Sequence, residues 1–166
     1  METLTLRPMT RALCHELFRG WENDPAVFAP GQAFEPFVCD EAAVDRYFDA
    51  KQTPDRVLLA VMLGEQPIGE VQLKRIDREK KECTLSIHMQ SDAYKNRGFG
   101  TAAEKLALRF AFETLRLDAV NADVLAGNAR SRRVLEKLGF RFLREDGAYR
   151  YYRIGRGDAP CGGKEL

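Results

Sequence analysis

The stretch Lys95-Asn96-Arg97-Gly98-Phe99-Gly100-Thr101 decides how the rest of this 166-residue chain is interpreted. It follows a segment that alternates like a strand and precedes a segment with helical periodicity. Two glycines allow a tight turn and a close approach of the backbone to a ligand. A turn that opens a helix presents free N–H groups and partial positive charge, so it suits phosphate oxygens. Lys95 and Arg97 add two positive charges within reach of a diphosphate.

A pair of glycines also occurs in ordinary turns with a basic surface, and the short motif alone leaves that alternative open. Two other nucleotide-binding loops do not fit. A Walker loop requires G-x-x-x-x-G-K-[ST], which the chain lacks. A dinucleotide-binding fold places G-x-G-x-x-G near the first strand, and that pattern is also absent.

The segments around this loop predict an α/β fold with a mixed sheet. Thr10 and Asp40 have the residue type of helix N-caps, and Gly139 is typical of a helix C-terminus. Strands are predicted at 3–7, 57–63, 68–76, 82–89, 119–125, 140–143 and 149–154, and helices at 10–20, 40–49, 100–115 and 129–138.

Neither an internal repeat nor a linker divides the chain. We therefore expect a single domain over residues 1–154, with one twisted, mostly antiparallel sheet flanked by helices. A flexible C-terminal tail is expected at 155–166, which is polar and rich in glycine.

Composition narrows the class of protein. Lys plus Arg is 26 and Asp plus Glu is 25, so the net charge of +1 predicts no nucleic-acid partner. The four cysteines form no C-x-x-C pair and there are two histidines, so no metal site is predicted. The N-terminus does not resemble a signal peptide, and no apolar run approaches the roughly 20 residues of a membrane span. A cytoplasmic protein with reduced thiols and no membrane partner is expected.

Two motifs in this order resemble the GNAT superfamily of N-acetyltransferases. The loop is similar to the family's pyrophosphate loop, [Gln/Arg]-x-x-Gly-x-[Gly/Ala], with Lys95 in place of Gln or Arg. Lysine keeps a donor and a charge but lacks the planar fork of arginine. The segment Asn128–Phe140 resembles Asn-x-x-Ser…Leu-x-x-x-Gly-Phe of the ribosomal-protein and small-amine branch, and Leu4–Pro8 and Trp21–Pro25 are also similar to it. The resemblance covers residues 3–154 and implies a GNAT-like fold with acetyl-CoA as cosubstrate.

The resemblance also implies where the cofactor binds. The strand before the loop is expected to splay from its neighbour and to bond the pantetheine arm through its last backbone groups. The loop is expected to hold the pyrophosphate, and the start of the next helix is expected to contact the arm. The implied cofactor-binding residues are His88, Met89, Gln90, Lys95, Asn96, Arg97, Gly98, Phe99, Gly100, Thr101, Asn128 and Ser131.

Amine acetylation requires a neutral amine, so a base is expected near the thioester. On the strand 82–89, Glu82, Thr84, Ser86 and His88 share one face by alternation, whereas Cys83 faces the other way. The usual carboxylate of the family falls on Thr84. His88, which titrates near neutrality, is therefore the predicted base, and Glu82 acting through water is the alternative.

The departing thiolate must be protonated or solvated. Ser131 is the candidate, because Leu135 stands where many relatives have a tyrosine; Tyr151 and Tyr152 are alternative donors. Early aromatic and acidic residues are candidates for recognising a cationic amine, with core packing and solvated loop charge as the competing interpretations. They are Trp21, Phe28, Phe34, Phe37, Glu22, Asp24 and Glu35.

The predicted activity is transfer of an acetyl group to a primary amine, either a small amine or a protein N-terminus, by direct attack in a ternary complex. A backbone N–H near Met89 is expected to stabilise the oxyanion. One alternative is a noncatalytic acetyl-CoA-binding sensor or scaffold. Another is a nucleic-acid-binding protein that uses the cations of the last helix, Arg130, Arg132, Arg133 and Lys137. A homodimer is common among similar proteins.

Overall fold

The computed structural model describes residues 2–23 and 39–160. Within these ranges the chain forms one seven-stranded sheet with helices on both faces. The strands are β1 (Leu4–Pro8), β2 (Val57–Leu63), β3 (Gln66–Asp77), β4 (Glu82–Met89), β5 (Ala119–Leu125), β6 (Arg141–Glu145) and β7 (Tyr149–Gly155). The helices are α1 (Arg11–Arg19), α2 (Glu41–Ala50), α3 (Phe99–Arg109) and α4 (Ala129–Leu138).

The sheet confirms the predicted mixed, mostly antiparallel topology. Its strand order is β1-β2-β3-β4-β5-β7-β6. Neighbouring strands run antiparallel except β4 and β5, which are parallel. Parallel neighbours need a long crossover, and α3 provides it.

The parallel pair separates after a short contact. β4 and β5 pair at Glu82 with Ala119, Cys83 with Val120, and Thr84 with Asn121, and nowhere further along. β4 remains paired with β3 up to Met89, and β5 remains paired with β7 along its length. The two halves of the sheet therefore diverge and leave a wedge between residues 85–89 and residues 122–125.

Two hydrophobic layers hold the helices on the sheet. One joins the face formed by Val61, Val71 and Leu85 to α3 and α4, through residues such as Ala107 and Leu135. The other packs the opposite face against α1 and α2; its buried members are Met9, Cys14, Leu17, Phe18, Val44, Leu58, Ala60 and Met62. Within the described ranges, none of the helices has the length and apolar character needed to cross a bilayer.

Local sequence signals placed most helix ends correctly. The side chain of Thr10 accepts a hydrogen bond from the backbone of Leu13, and that of Asp40 accepts one from Ala43, as expected of N-caps. Gly139 ends α4 in the left-handed conformation. The predicted helix 100–115 is wrong at its end, because α3 gives way to a π-helical turn at Phe110–Thr114.

The start of the predicted tail belongs to the fold. Gly155 is the last residue of β7, and Arg156–Asp158 form a 3₁₀ turn. The guanidinium of Arg156 donates to the carbonyl of Leu117 at 2.7 Å. Flexibility of residues 155–158 is therefore not observed, and residues 161–166 lie outside the described residues.

Substituting Gly69 on β3 by alanine is expected to destabilise the protein, because Gly69 packs against the backbone of His88 on β4. A Cβ at this position would lie 2.8 Å from the carbonyl oxygen of His88, a backbone atom that cannot move aside cheaply. We expect Gly69→Ala to lower the free energy of unfolding by about 1–3 kcal/mol, measured by urea titration.

Gly147→Ala is the matched control, because a Cβ there meets nothing within 4 Å. Its unfolding free energy should stay within about 1 kcal/mol of the wild type. Equal stability of the two variants would contradict the close packing of β3 on β4.

Candidate active site

A cleft of about 700 Å³ opens where β4 and β5 separate. It is bounded by the end of α1, by α2, by the end of β4 and by the start of α4. Seven of the predicted site residues line it: His88, Met89, Lys95, Asn96, Gly100, Asn128 and Ser131. The wedge thus brings together residues that lie more than 40 positions apart in sequence.

The glycine loop forms one wall of this cleft, to which it contributes Lys95, Asn96 and Gly100. Asn96 and Gly98 have positive φ angles of 56° and 81°, so the chain turns sharply before α3. Gly98 is the N-cap of α3 and no side chain caps this helix end. A Cβ on Gly98 or Gly100 would meet nothing within 4 Å, so the backbone faces open space. The first N–H groups of α3 are therefore available to an anion.

Basic side chains surround the loop but do not all face the cleft. Lys95 lines it and forms an ion pair with Asp92 at 2.9 Å. Arg97 instead stacks on the ring of Phe99 at 4.8 Å and donates to the carbonyl of Ala93, on the outer side of the loop. From α4, Arg130 and Arg133 also line the cleft.

The end of β4 offers backbone groups to the wedge. The N–H of Gln90 donates to the carbonyl of Ile68 on β3 at 2.8 Å. Peptide groups alternate in direction along a strand, so those of Met89 and Ile87 point toward the wedge. Gln90 itself serves the fold, since its side chain donates to Leu17 and its carbonyl accepts from Glu22. Gln90 does not line the cleft.

The start of α4 forms the opposite wall. Asn128 is its N-cap, and its side-chain oxygen accepts from the backbone N–H of Ser131 at 3.2 Å. Both residues line the cleft. Arg132 turns away and donates to the carbonyl of Ala126 at 3.0 Å. The capping geometry fixes Ser131 at the mouth of the wedge.

Sequence analysis missed the carboxylate behind His88. Glu70 on β3 is directly opposite His88 in the β3–β4 register, and its Oε1 lies 3.5 Å from Nδ1 of the imidazole. Glu70 is 2% exposed, whereas His88 faces the cleft. The carboxylate also accepts hydrogen bonds from Tyr47 at 2.5 Å and Gln72 at 3.1 Å. The alternation on β3 was a usable signal. It places the polar Glu70 and Gln72 on one face of the strand and the apolar Val71 and Leu73 on the other face.

Electrostatics keep Glu70 ionised. Burial disfavours its charged form, but hydrogen bonds from His88, Tyr47 and Gln72 outweigh burial and lower the pKa of Glu70. Burial next to this carboxylate raises the pKa of the Tyr47 phenol, so Tyr47 remains a donor. A carboxylate beside Nδ1 favours the imidazole tautomer with its proton on Nδ1, which leaves Nε2 as the basic nitrogen.

Aromatic and acidic side chains form the wall beyond His88. Phe18, Trp21 and Tyr47 line the cleft, and the ring of Phe18 lies 4.7 Å from that of Trp21. Glu22 adds negative charge to this part of the cleft, whereas Asp92, which also lines the cleft, is ion-paired to Lys95. The other early candidates, Asp24, Phe28, Phe34, Glu35 and Phe37, lie outside the described residues.

Several other candidates lie apart from the cleft. Glu82 is at the paired end of β4, ion-paired to Arg153 at 2.8 Å. The hydroxyl of Tyr151 donates to Asp146 at 2.7 Å, and Tyr152 is buried. Cys83 faces the core opposite His88, and burial raises the pKa of its thiol to about 12. Within residues 2–23 and 39–160, no group of three or more His, Cys, Asp or Glu side chains could hold a metal ion.

Known proteins share the fold and part of the sequence. Over 73 residues, 44% of this chain, the sequence is 36% identical to the Bacillus subtilis (strain 168) protein named "Probable N-acetyltransferase YjcK". That match spans 40% of the length of YjcK.

Two solved structures illustrate the likeness of fold. Spermidine N-acetyltransferase from Vibrio cholerae, in complex with CoA and spermine, superposes with a TM-score of 0.77 at 17% identity, over 93% of this chain and 96% of that chain. Campylobacter jejuni N-acetyltransferase PseH gives a TM-score of 0.68 at 16% identity, over 92% of this chain and 98% of that chain.

Residues 3–141 match the family model described as "Acetyltransferase (GNAT) domain". The match runs from the start of β1 to the start of β6 and includes the glycine loop, the wedge and the Glu70–His88 pair. The chain therefore belongs to the GNAT acetyltransferase family.

Proposed function

We propose that this chain transfers the acetyl group of acetyl-CoA to a primary amine, a small amine or a protein N-terminus, within a ternary complex. The wedge carries the proposal, since it joins an anion-binding loop on one face of the sheet to a histidine–carboxylate pair on the other. A cofactor with a diphosphate and an extended arm fits such a passage, and an acceptor can reach its reactive end from the opposite side.

The residues present fit acetyl-CoA, which supplies an activated thioester when bound. The N–H groups at the start of α3 and the ammonium of Lys95 would hold the pyrophosphate. The outward peptide groups of Ile87 and Met89 would pair with the amide arm. Arg130 and Arg133 lie at the same cleft and suit the remaining phosphate better than they suit a nucleic acid.

Gly100→Glu is expected to abolish cofactor binding without unfolding α3. Gly100 has no positive φ angle and faces open space, so a glutamate fits sterically in the free protein but repels the diphosphate. Loss of two charge-assisted hydrogen bonds corresponds to roughly 100-fold weaker binding, measured by calorimetric titration of acetyl-CoA.

Gly157→Glu provides the control, because Gly157 is equally open and does not line the cleft. Circular dichroism should show both variants folded. Wild-type binding retained by Gly100→Glu would rule out this loop as the pyrophosphate site.

His88 is proposed to accept the proton of the attacking amine through Nε2. Glu70 keeps the required tautomer and stabilises the imidazolium that forms. Tyr47 and Gln72 hold Glu70 in place. A carboxylate base acting directly is unnecessary in this proposal, and Ser131, which lines the cleft, is proposed to solvate the departing thiolate.

His88→Ala is expected to lower kcat by about 10²- to 10⁴-fold, and Glu70→Gln by about tenfold or more, with an unchanged Kd for acetyl-CoA. The chain contains a second histidine–carboxylate pair, His15 with Asp45 at 2.9 Å, which does not line the cleft. His15→Ala should therefore retain wild-type kcat. Release of free thiol measures all three variants, and equal losses at His15 and His88 would reject the assignment.

The acceptor is proposed to be cationic, because Trp21 and Glu22 line the cleft on the side away from the glycine loop. A panel of spermidine, simple monoamines and peptides with free N-termini separates the acceptor classes. Polyamines enter the panel because the Vibrio cholerae relative is a spermidine N-acetyltransferase, a likeness of fold alone. Saturable acetyl-CoA binding with no turnover on any amine would favour the noncatalytic sensor.

Trp21→Leu is expected to raise KM for the best amine by roughly 2- to 30-fold through loss of a cation–π contact. Trp21→Phe keeps an aromatic face and should lose less. Acetyl-CoA affinity should not change in either variant. An unchanged KM in Trp21→Leu would assign the tryptophan to packing against Phe18.

A homodimer completes the proposal. Phe142, Leu143 and Tyr149 are exposed apolar side chains at the β6 edge of the sheet, and a second copy would cover them. Light scattering of the purified protein measures the mass directly.

A further inference from the structure

Glu104 is a buried carboxyl that the proposed mechanism does not use. It lies on α3, is 5% exposed, and its Oε2 has no hydrogen-bond partner among the described residues. Removing a carboxyl group from water without a partner is costly, and an interior helix position normally carries an apolar residue. The position of Glu104 in the wedge suggests that the carboxyl is kept there to bind a ligand.

A second cavity, of about 240 Å³, lies in the wedge itself. It is lined by residues from both diverging strands, the apolar Leu85, Ala122 and Val124 together with the polar Ser86 and Asp123. This cavity and the larger cleft share the lining residues Ile87, His88, Glu104, Asn128 and Ser131. Glu104 therefore lies at the junction of the two cavities, beside the proposed base and the proposed thiolate-solvating residue.

We propose that Glu104 is a ligand-binding residue that donates a hydrogen bond, as a neutral carboxylic acid, to a carbonyl oxygen of the acyl donor in the wedge. The acceptor is an amide carbonyl of the donor's arm or its thioester carbonyl. This inference rests on the proposed function, and its experiment separates the two.

The physical state of Glu104 suits this role. Burial raises its pKa to about 8 from an ordinary value of 4.5, so the side chain is protonated at neutral pH and carries an O–H donor. An ionised carboxylate at the same place would repel a carbonyl oxygen and could not donate. The outward N–H groups of Ile87 and Met89 are donors as well, so the wedge selects a ligand with several acceptors.

Other titratable groups line the two cavities. The smaller one contains Lys74 and Asp123 beside His88 and Tyr149. The larger cleft adds Glu22, Tyr47, Glu70, Asp92, Lys95 and the two arginines of α4. Carboxylates and guanidiniums keep their charge above pH 7, so the lysines are the main competing source of an alkaline titration. Burial lowers the pKa of Lys74, which makes Lys74→Gln a necessary control.

The decisive experiment titrates acetyl-CoA into the protein between pH 7 and 9.5, in buffers of different ionisation enthalpy. Wild-type affinity should fall toward tenfold per pH unit above pH 8, with uptake approaching one proton per ligand bound. Glu104→Gln keeps a hydrogen-bond donor that does not ionise. Its affinity for acetyl-CoA should therefore not fall between pH 8 and 9.5, and proton uptake on binding should disappear. Glu104→Leu cannot donate and should bind roughly three- to tenfold more weakly at pH 7.

The stability of the free protein gives a second readout. Between pH 4.5 and 8 the folded state holds the Glu104 proton and the unfolded state has lost it, so this group makes the fold less stable as pH rises. Glu104→Gln should therefore gain stability relative to the wild type across that window, by urea titration at each pH.

Three results would overturn the inference. One is an alkaline decline that persists in Glu104→Gln, and another is a decline that vanishes in Lys74→Gln instead. The third is full affinity in Glu104→Leu. If the wild type binds no acetyl-CoA at any pH, the proposed function fails and this inference with it, whatever the stability curves show.

Discussion

The site depends on the failure of β4 and β5 to stay paired. Strand pairing normally satisfies every peptide group of a central strand, and an unpaired buried peptide group is costly. Here pairing ends at Thr84 and Asn121, while each strand remains bound to its outer neighbour. β3 lies close against β4 at Gly69, so β4 stays with β3 where it leaves β5. The peptide groups of Ile87 and Met89 are thereby reserved for a ligand.

Because the wedge crosses the sheet, it separates two chemistries that would interfere with each other. Positive charge and helix N–H groups lie on the α3 and α4 side, where phosphate binds best. Negative charge and aromatic rings lie on the α1 and α2 side, where Trp21 lines the cleft and Glu70 is buried next to His88. His88 lies near the end of β4, where the wedge connects the two faces of the sheet.

Sequence patterns predicted the fold, and seven residues that line one cleft, because those features are local. A capping residue such as Thr10, the alternation on β4 and the glycine loop each depend on residues a few positions apart. Glu70 opposite His88 depends on the register of β3 with β4, which is shifted by an irregularity between Lys74 and Asp77. A period-2 pattern fixes the face of a side chain but not its cross-strand partner.

A buried residue of a charged type is hard to predict from sequence, because its residue type suggests exposure to solvent. A glutamate in a helix is ordinarily expected on the solvent side, so residue type does not predict the burial of Glu104. The structure buries Glu104 with Ala103, Ala107 and Leu108 and leaves Leu106 and Phe110 partly exposed. The π-helical turn at Phe110–Thr114 shifts the face of the residues that follow it, and no residue in the segment signals it.

Two buried carboxyls of the same residue type meet opposite fates within one cleft. Oε2 lacks a hydrogen-bond partner in both carboxyls, but Oε1 of Glu70 accepts from Tyr47 and Gln72 and lies 3.5 Å from Nδ1 of His88, and Glu70 stays ionised. Burial without such donors raises the pKa of Glu104 to about 8, so Glu104 is protonated at pH 7. Neighbouring donors therefore decide the charge, and burial alone does not. An anionic group suits the acceptor side, where it supports the imidazolium of His88. A neutral donor suits the cofactor side, where a second carboxylate would oppose the phosphates. The fold supplies hydrogen-bond donors to Glu70 and not to Glu104, and this difference determines which side of the wedge carries a negative charge.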